Sequence, residues 1–377
     1  MKKVLVVFGT RPEAIKMAPV IRKLKQHNNE ISTRVCVTAQ HRALLDQVLQ
    51  FFKIGPEKDL DVMKPGQDLF DITSNVLLGM KNVLRDEKPD IVLVQGDTTT
   101  SFITALASFY EGIPVAHVEA GLRTNNLRAP FPEEANRQII SRVAQIHLAP
   151  TQFNKQSLLG EGVPEKNIFV TGNTIVDAIQ WTLEIIKSRP VDYYHSFLNG
   201  ASRVLKEEKP LILVTGHRRE SFGPGFERIC TALKRIAERN PGVNLIYPVH
   251  PNPNVKKPVF EILGNLKNFY LIDPLEYDPF VYLMDQSAIL LTDSGGIQEE
   301  APTLKKPLLV MREVTERMEA VNAGIATLVG TDEEKIVFET ERLLNDASHY
   351  RKVANVENPF GDGKASERIY NILKDFK

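Results

Sequence analysis

The segment with the most chemistry in this chain is Thr292-Asp293-Ser294-Gly295-Gly296-Ile297-Gln298-Glu299-Glu300, where an apolar run stops and a helical pattern begins. Paired glycines let a phosphate approach the backbone, the first-turn N–H groups lack intrahelical partners, and the helix dipole adds partial positive charge. Ser294, Gly295 and Gly296 therefore read as an anion site. Glu300, about a turn and a half further on, is placed to accept hydrogen bonds from ribose hydroxyls. The plainer alternative is a tight βα turn with a serine N-cap. Arg11, in Gly9-Thr10-Arg11-Pro12-Glu13, follows the first strand with Pro12 suited to the opening of a helix, and Lys16 follows on that helix. Both can reach a phosphate. His217-Arg218-Arg219-Glu220 offers the same from the second half, with an imidazole that exchanges a proton near neutral pH.

Three acids follow strand ends in the first half: Asp97, Glu119 and Glu133. Asp97 either caps the helix that starts at Thr98 or faces a ligand, and Glu133 with Glu134 either offsets a helix dipole or joins it there. Glu119 directly follows the run 115–118, at the end of a buried parallel strand, where an unpaired carboxylate is costly. Carboxylates converging on one cleft would repel one another, raise the pKa of at least one, and supply a general acid and a general base.

These residues need a scaffold that gathers strand ends, and the hydrophobic pattern supplies one. Short β-branched runs alternate with longer helical patterns, the signature of parallel α/β sheets. Strands are expected at 4–8, 34–38, 91–95, 115–118, 146–148 and 168–170, then at 211–215, 245–249, 269–272, 289–292, 308–311 and 327–329. The periodicity breaks over 187–210, so two doubly wound domains are expected, 1–172 and 173–363, with a boundary near or before that stretch. Both halves open alike, strand then Gly, polar, Arg, X, Glu, at 4–13 and 211–220. A shared demand of first βα turns for a glycine and a helix-opening acid is enough to produce that echo. Ligands of open parallel sheets sit beyond the carboxyl ends of the strands, so a two-domain protein of this kind is expected to bind between its halves. The last residues read as an amphipathic helix with Ile369, Ile372 and Leu373 on one face, able to pack on either domain.

Composition narrows the partners. The 377 residues hold 47 Lys+Arg against 47 Asp+Glu, so no global field holds nucleic acid or an anionic membrane. Cys36 and Cys230 are far apart in apolar runs, as expected of reduced core thiols in a cytoplasmic protein. The apolar run 4–8 is too short for a signal-peptide core and no run reaches membrane-spanning length. No G-x-G-x-x-G follows the first strand, and Gly223-Pro224-Gly225 lacks the third glycine, which disfavours a dinucleotide cofactor. Gly361-Asp362-Gly363-Lys364 is not a P-loop, and Asp59-Leu60-Asp61 reads as a solvated loop in preference to a D-x-D metal site.

Taken together, Gly9-Thr10-Arg11-Pro12-Glu13, Gly96-Asp97-Thr98-Thr99, His117-Val118-Glu119-Ala120-Gly121-Leu122-Arg123, Pro132-Glu133-Glu134-Ala135-Asn136-Arg137, Thr215-Gly216-His217-Arg218-Arg219-Glu220 and Asp293 to Glu300 form a highly specific set. On these blocks the chain resembles the non-hydrolysing UDP-N-acetylglucosamine 2-epimerases of bacteria, nearly end to end. The resemblance implies two Rossmann-like domains in a glycosyltransferase-B-like fold, a homodimer, and a C-terminal helix, 364–377, that crosses back to the first domain. It implies interconversion of UDP-N-acetylglucosamine and UDP-N-acetylmannosamine with no dissociable redox cofactor and no metal. Arg11, Lys16, Phe280, Ser294, Gly295, Gly296, Glu300 and Arg317 would bind UDP, while Asp97, Glu119, Glu133 and His217 would surround the sugar and the leaving phosphate. Gln40, His41 and Arg42 correspond to a region that binds a second substrate molecule as activator. Where the family usually has Thr-Glu-Arg-Pro-Glu this chain has Met318 in place of the proline, which removes a fixed backbone angle and is expected to loosen the loop.

Elimination of UDP across C1 and C2, then re-addition, is the economical route to inversion without an oxidant. Two rival classes use the same UDP site: a glycosyltransferase of this fold, with a hydrolysing epimerase as its near relative, and a UDP-sugar sensor without turnover. Opposed strand-end acids beside a neutral sugar disfavour the sensor.

Overall fold

The computed structural model describes residues 1–377 apart from 40, 41, 65, 219, 220 and 377. Its strands are β1 (Lys2–Phe8), β2 (Ile31–Val37), β3 (Lys58–Asp59), β4 (Ile91–Gln95), β5 (Val115–Val118), β6 (Ile146–Ala149) and β7 (Ile168–Val170), followed by β8 (Leu211–Thr215), β9 (Asn244–Pro248), β10 (Phe269–Ile272), β11 (Ile289–Thr292), β12 (Leu308–Val310) and β13 (Ala326–Leu328). The first seven form one sheet in the order β3-β2-β1-β4-β5-β6-β7, the last six another in the order β10-β9-β8-β11-β12-β13. Every pairing found is parallel. Helices cover both faces of such sheets, which is why Val4 to Phe8 and Ile91 to Val94 can be fully buried along unbroken apolar runs. This is the expected doubly wound α/β class, twice over.

All twelve expected strands are present, six with the expected ends and four with ends shifted by one residue. β2 starts earlier than expected, at Ile31, because the polar run Ser32-Thr33-Arg34 still pairs in register with β1. β3 was not expected: two residues on a sheet edge leave no alternation to read.

The chain divides into two compact units, residues 1–178 with 360–377, and residues 179–359. The division lies inside the helix Thr174–Lys187, not at 172/173, and side-chain capping explains why. The N–H of Asn173 donates to the carbonyl of Phe360 (2.8 Å), and Asp177 accepts the N–H groups of Ala365 (3.2 Å) and Ser366 (2.9 Å), capping the last helix, Ala365–Asp375. The start of Thr174–Lys187 is thereby bound to the first unit. Ile369 and Leu373 are buried there, Tyr370 stacks on His27 at 4.1 Å, and Lys2 Nζ donates to the carbonyl of Leu373 (2.7 Å). The stretch 187–210 is no linker. It folds into the helix Val191–His195 and short 3-10 turns, with Tyr194 and Leu198 buried, within the second unit.

Cys36 and Cys230 are buried free thiols, each pushed up to about 12 by that burial. Among the described residues no helix is long and apolar enough to cross a membrane, and no cluster of His, Cys, Asp or Glu could hold a metal ion.

In each sheet the winding reverses direction next to the central strand, between β1 and β4 in the first and between β8 and β11 in the second. Loops at such reversals splay apart and leave room at the carboxyl ends of the strands. The motifs at 9–13 and 96–99 flank the first reversal; those at 215–218 and 292–300 flank the second.

Candidate active site

At the first reversal, Glu13 ties the two loops together. Its Oε2 accepts the N–H groups of Gly9 (3.0 Å) and Thr10 (2.8 Å) and the hydroxyl of Thr10 (2.7 Å); its Oε1 accepts the hydroxyls of Thr98 (2.7 Å) and Ser101 (2.8 Å). Burial pushes this carboxyl up, and those donors oppose the shift. Gly9 is required by what packs over it: a Cβ there would lie 2.1 Å from Thr38 Oγ1, one half of a buried hydroxyl pair with Thr100. The helix begins at Arg11, so Pro12 takes its second position, not the first. Arg11, half-buried, makes no hydrogen bond or ion pair among the described residues.

Of the three strand-end acids, Glu119 and Asp97 each meet a cation, and Glu133 is half-buried. Glu119 sits just past β5 with φ +65°, a left-handed backbone that costs a non-glycine residue on the order of 1 kcal/mol. Its Oε2 takes the ammonium of the buried Lys16 and the amide of Gln95 (2.8 Å). The strain aims a carboxylate at the helix Arg11–Gln26, from which Lys16 projects. Asp97 is not the N-cap; Thr98 is, accepting the N–H of Ser101 (3.1 Å). Asp97 instead meets Arg137 Nη2 at 2.7 Å, and its carbonyl accepts the amide of Asn136 (2.8 Å). Glu133 starts its helix half-buried, whereas Glu134 is wholly buried and accepts the N–H groups of Thr124 (3.0 Å) and Asn125 (3.2 Å) beside Arg137. His117 beneath the Asp97 loop touches the carbonyl of Gly96 at 2.7 Å, and burial pushes it down to about 3, so it is neutral.

At the second reversal Asp293 is the tie. Wholly buried, it accepts the N–H groups of His217 (2.7 Å) and Arg218 (2.8 Å) through Oδ2. The hydroxyls of Thr215 and Thr292 meet at 2.6 Å, and the Tyr247 hydroxyl donates to the carbonyl of Gly216 (2.6 Å). His217 is exposed and stacks on His250 with centroids 5.3 Å apart. Ser294 occupies the N-cap of the helix Gly295–Glu300 without spending its hydroxyl on a cap. A Cβ on Gly295 would be 3.4 Å from Arg218 Nη2 and 3.5 Å from Arg317 Cζ, so two guanidiniums flank that helix start. Arg317 is steadied by Glu299 (3.0 Å), while Arg218 makes no side-chain hydrogen bond or ion pair among the described residues. Glu300 ends the helix, half-buried, and Phe280 lies half-buried on the helix Tyr277–Gln286. Free N–H groups, two guanidiniums and a spare hydroxyl suit a diphosphate; paired strand-end acids suit proton transfer to carbon.

The match to known proteins runs the length of the chain. The family model described as UDP-N-acetylglucosamine 2-epimerase matches residues 22–374. The chain belongs to that family. It is 54% identical over 374 residues to a UDP-N-acetylglucosamine 2-epimerase of Campylobacter jejuni, covering 99% of this chain and 97% of that one. The same enzyme of Escherichia coli K12 is 54% identical over 373 residues, covering 99% and 98%. The crystal structure of the Neisseria meningitidis UDP-GlcNAc 2-epimerase bound to UDP-GlcNAc superposes with a TM-score of 0.90 at 50% identity, covering 98% of this chain and 99% of that one.

The structure also places Met318 and the segment 59–61. Met318 is the first residue of the helix Met318–Ala323, after Arg317 as N-cap. The N–H at that position has no intrahelical partner, so methionine and proline both fit and the segment is a regular helix start. Asp59, on the edge strand β3, and Asp61 are exposed to solvent as expected, and on that surface Asp59 takes both Arg42 Nη atoms (2.8 and 2.7 Å), with Asp61 and Asp46 adding longer contacts. Gln40, His41, Arg219 and Glu220 lie outside the described residues. Gln95, Arg137 and Asp293 were not singled out from the sequence. Asp293 adjoins the anion motif and Arg137 stands three residues after Glu134, a helical pairing distance that the sequence did offer.

Proposed function

We propose that this protein epimerises UDP-N-acetylglucosamine and UDP-N-acetylmannosamine at C2, reversibly and without hydrolysis. The observation that carries the reading is the division of labour between the two reversals, cation-matched acids at one and open phosphate donors at the other. The second domain holds UDP: Ser294, Gly295 and Gly296 with Arg317 take the diphosphate, Glu300 the ribose, and Phe280 adds apolar contact. Arg11 and Lys16 of the first domain add positive charge at the departing phosphate. Asp97, Glu119 and Glu133 attend the sugar, and His217 the leaving oxygen.

In the forward step a carboxylate removes the C2 proton, the C–H electron pair becomes the C1=C2 bond, and the C1–O bond breaks with its electrons leaving on UDP. Donors held ready for that charge lower the barrier because they need no reorganisation as it develops. The glycal then receives a proton at C2 from the opposite face while a UDP oxygen re-forms the bond to C1. The sum is redox neutral. Asp97, close to Arg137, and Glu119, close to Lys16, are each beside a cation that can stabilise the carboxylate after it has given its proton away.

The same proposal places Gln40, His41 and Arg42 at a second, activating nucleotide-sugar site, and makes the protein a cytoplasmic homodimer that supplies N-acetylmannosamine units for cell-surface polysaccharide. Exposed Phe70, Leu78, Phe109 and Ile139 on three successively packed helices of the first domain support the dimer. Purified protein given UDP-N-acetylglucosamine alone tests the reaction. UDP-N-acetylmannosamine in equilibrium with substrate is expected. Free N-acetylmannosamine as the main product would mean hydrolysis, and turnover only with an added acceptor would mean sugar transfer.

A further inference from the structure

Asp293 has an unfinished hydrogen-bond inventory. Through Oδ2 it accepts the N–H groups of His217 and Arg218, so the carboxylate is fixed to the backbone that carries the imidazole. Its other oxygen, Oδ1, is fully buried with no hydrogen bond among the described residues. A buried carboxylate oxygen left unpaired is costly, and such groups are rare enough to need a reason. The donor nearest to hand is His217 Nδ1, 3.6 Å away. That ring is 42% exposed, so a small rotation closes the gap to a hydrogen bond. The ring is also guided from one face: His250 stacks on it with planes 11° apart. His250 has its own orientation set, because its Nδ1 accepts the N–H of Asn252 (3.2 Å), which puts the His250 proton on Nε2.

We infer that Asp293 is the positioning residue of His217, holding its Nδ1–H so that Nε2 gives a proton to the departing phosphate oxygen from the imidazolium and, then bare, takes that proton back from the returning one. This inference rests on the reading of His217 as a proton-transfer group for the leaving diphosphate. A neutral imidazole has two tautomers, and only the one whose proton is on Nδ1 offers a lone pair at Nε2. A carboxylate beside Nδ1 selects it. As Nε2 gains a proton, the same carboxylate faces the positive charge that develops on the ring. Capping the turn at 216–218 needs only one oxygen, so the second is what separates positioning from plain structural support.

The test has two independent readouts on the full-length protein. Long-range 1H–15N correlation spectra of 15N-histidine-labelled protein, without substrate, assigned by the His217→Gln variant, report the tautomer directly. Protonated Nδ1 and bare Nε2 are expected for neutral His217; the reverse overturns the inference, whatever reaction the protein catalyses. In kinetics, Asp293→Asn keeps an oxygen for the two backbone N–H groups but turns an amide donor toward Nδ1, favouring the wrong tautomer. It is expected to lower kcat by about 100-fold or more, with UDP affinity within about twofold of the parent. In a His217→Gln background the same substitution should cost almost nothing further, since the ring it positions is gone. Equal losses in both backgrounds would make Asp293 a structural cap only. The expected tautomer together with no UDP-N-acetylglucosamine turnover by the parent protein would leave the positioning role standing and overturn the proposed reaction instead.

Discussion

The two chain reversals are built to one plan and finished differently. Each uses a buried carboxylate to bind neighbouring βα loops, Glu13 in the first domain and Asp293 in the second. Glu13 has both oxygens filled by backbone and hydroxyl donors, whereas Asp293 has one oxygen unpaired among the described residues. Around Glu13 the acids are answered by cations, Lys16 to Glu119 and Arg137 to Asp97, while Arg11 makes no such pair among the described residues. Around Asp293 they face outward, with His217 exposed, Arg218 without a side-chain partner among the described residues and Ser294 not spent on its own helix. The histidines repeat the contrast. His117 and His147 pair across β5 and β6 inside the first sheet, while His217 and His250 stack at strand ends of the second. One domain therefore arrives with its acids pre-set, and the other with its donors unspent. That is the division of labour the proposed elimination calls for, acids for a carbon-bound proton and donors for a departing anion.

The sharpest way to break this contrast is to remove charge where it faces outward. Arg11→Ala and His217→Ala should each reduce turnover by about 100- to 1000-fold, equivalent to ~3 to 4 kcal/mol of charge stabilisation at the leaving group, with the thermal transition nearly unmoved. Near-normal turnover by either variant would remove that residue from the reaction. The inward-facing charges should respond in stability. Arg137→Met strands the buried Glu134 and frees Asp97, so a loss on the order of 3 kcal/mol is expected in denaturant unfolding of the first domain. A change below about 1 kcal/mol would show that the backbone N–H groups of Thr124 and Asn125 suffice to hold Glu134.

A smaller effect sharpens the outward half. Glu300→Ala should weaken UDP binding by roughly 1.5 to 3 kcal/mol in calorimetry while the fold is kept. Unchanged affinity would return Glu300 to an ordinary helix end. The smallest effect per unit is a pH slope from the buried histidines. His117 and His147 are pushed by burial from 6.5 down to about 3 and about 4, so between those values and 6.5 the unfolded chain binds protons that the folded chain refuses. Their contribution is complete above pH 6.5 and is lost as pH falls, at about 1.4 kcal/mol per pH unit for each. His117→Gln should flatten that acid limb in thermal melts at pH 4 to 6; an identical limb would place the acid sensitivity elsewhere.

Much of this was legible in the sequence because parallel strands buried on both faces declare themselves as unbroken apolar runs, as at 4–8 and 91–95. The glycine and acid punctuation at strand ends also marked where chemistry would gather. What stayed hidden depends on distance in space. Lys16 and Glu119 are 103 residues apart, and nothing in either segment announces their pairing. An acid before Thr98-Thr99-Thr100-Ser101 fits a helix cap and a ligand-facing group equally well, and only the structure gives the cap to Thr98 and Asp97 to Arg137. The domain division inside Thr174–Lys187 followed from the capping of a helix 188 residues later by Asp177, a contact no local pattern encodes.

The central claim is that the C2 proton is removed and replaced while UDP is detached, and one spectrum tests it. UDP-N-acetylglucosamine incubated with the protein in heavy water, with nothing else added, should give a mixture that contains UDP-N-acetylmannosamine carrying deuterium at C2, with traces of UDP and glycal growing slowly. Epimerised product that retains protium at C2 would contradict elimination and re-addition, and would require a hydrogen that never meets solvent.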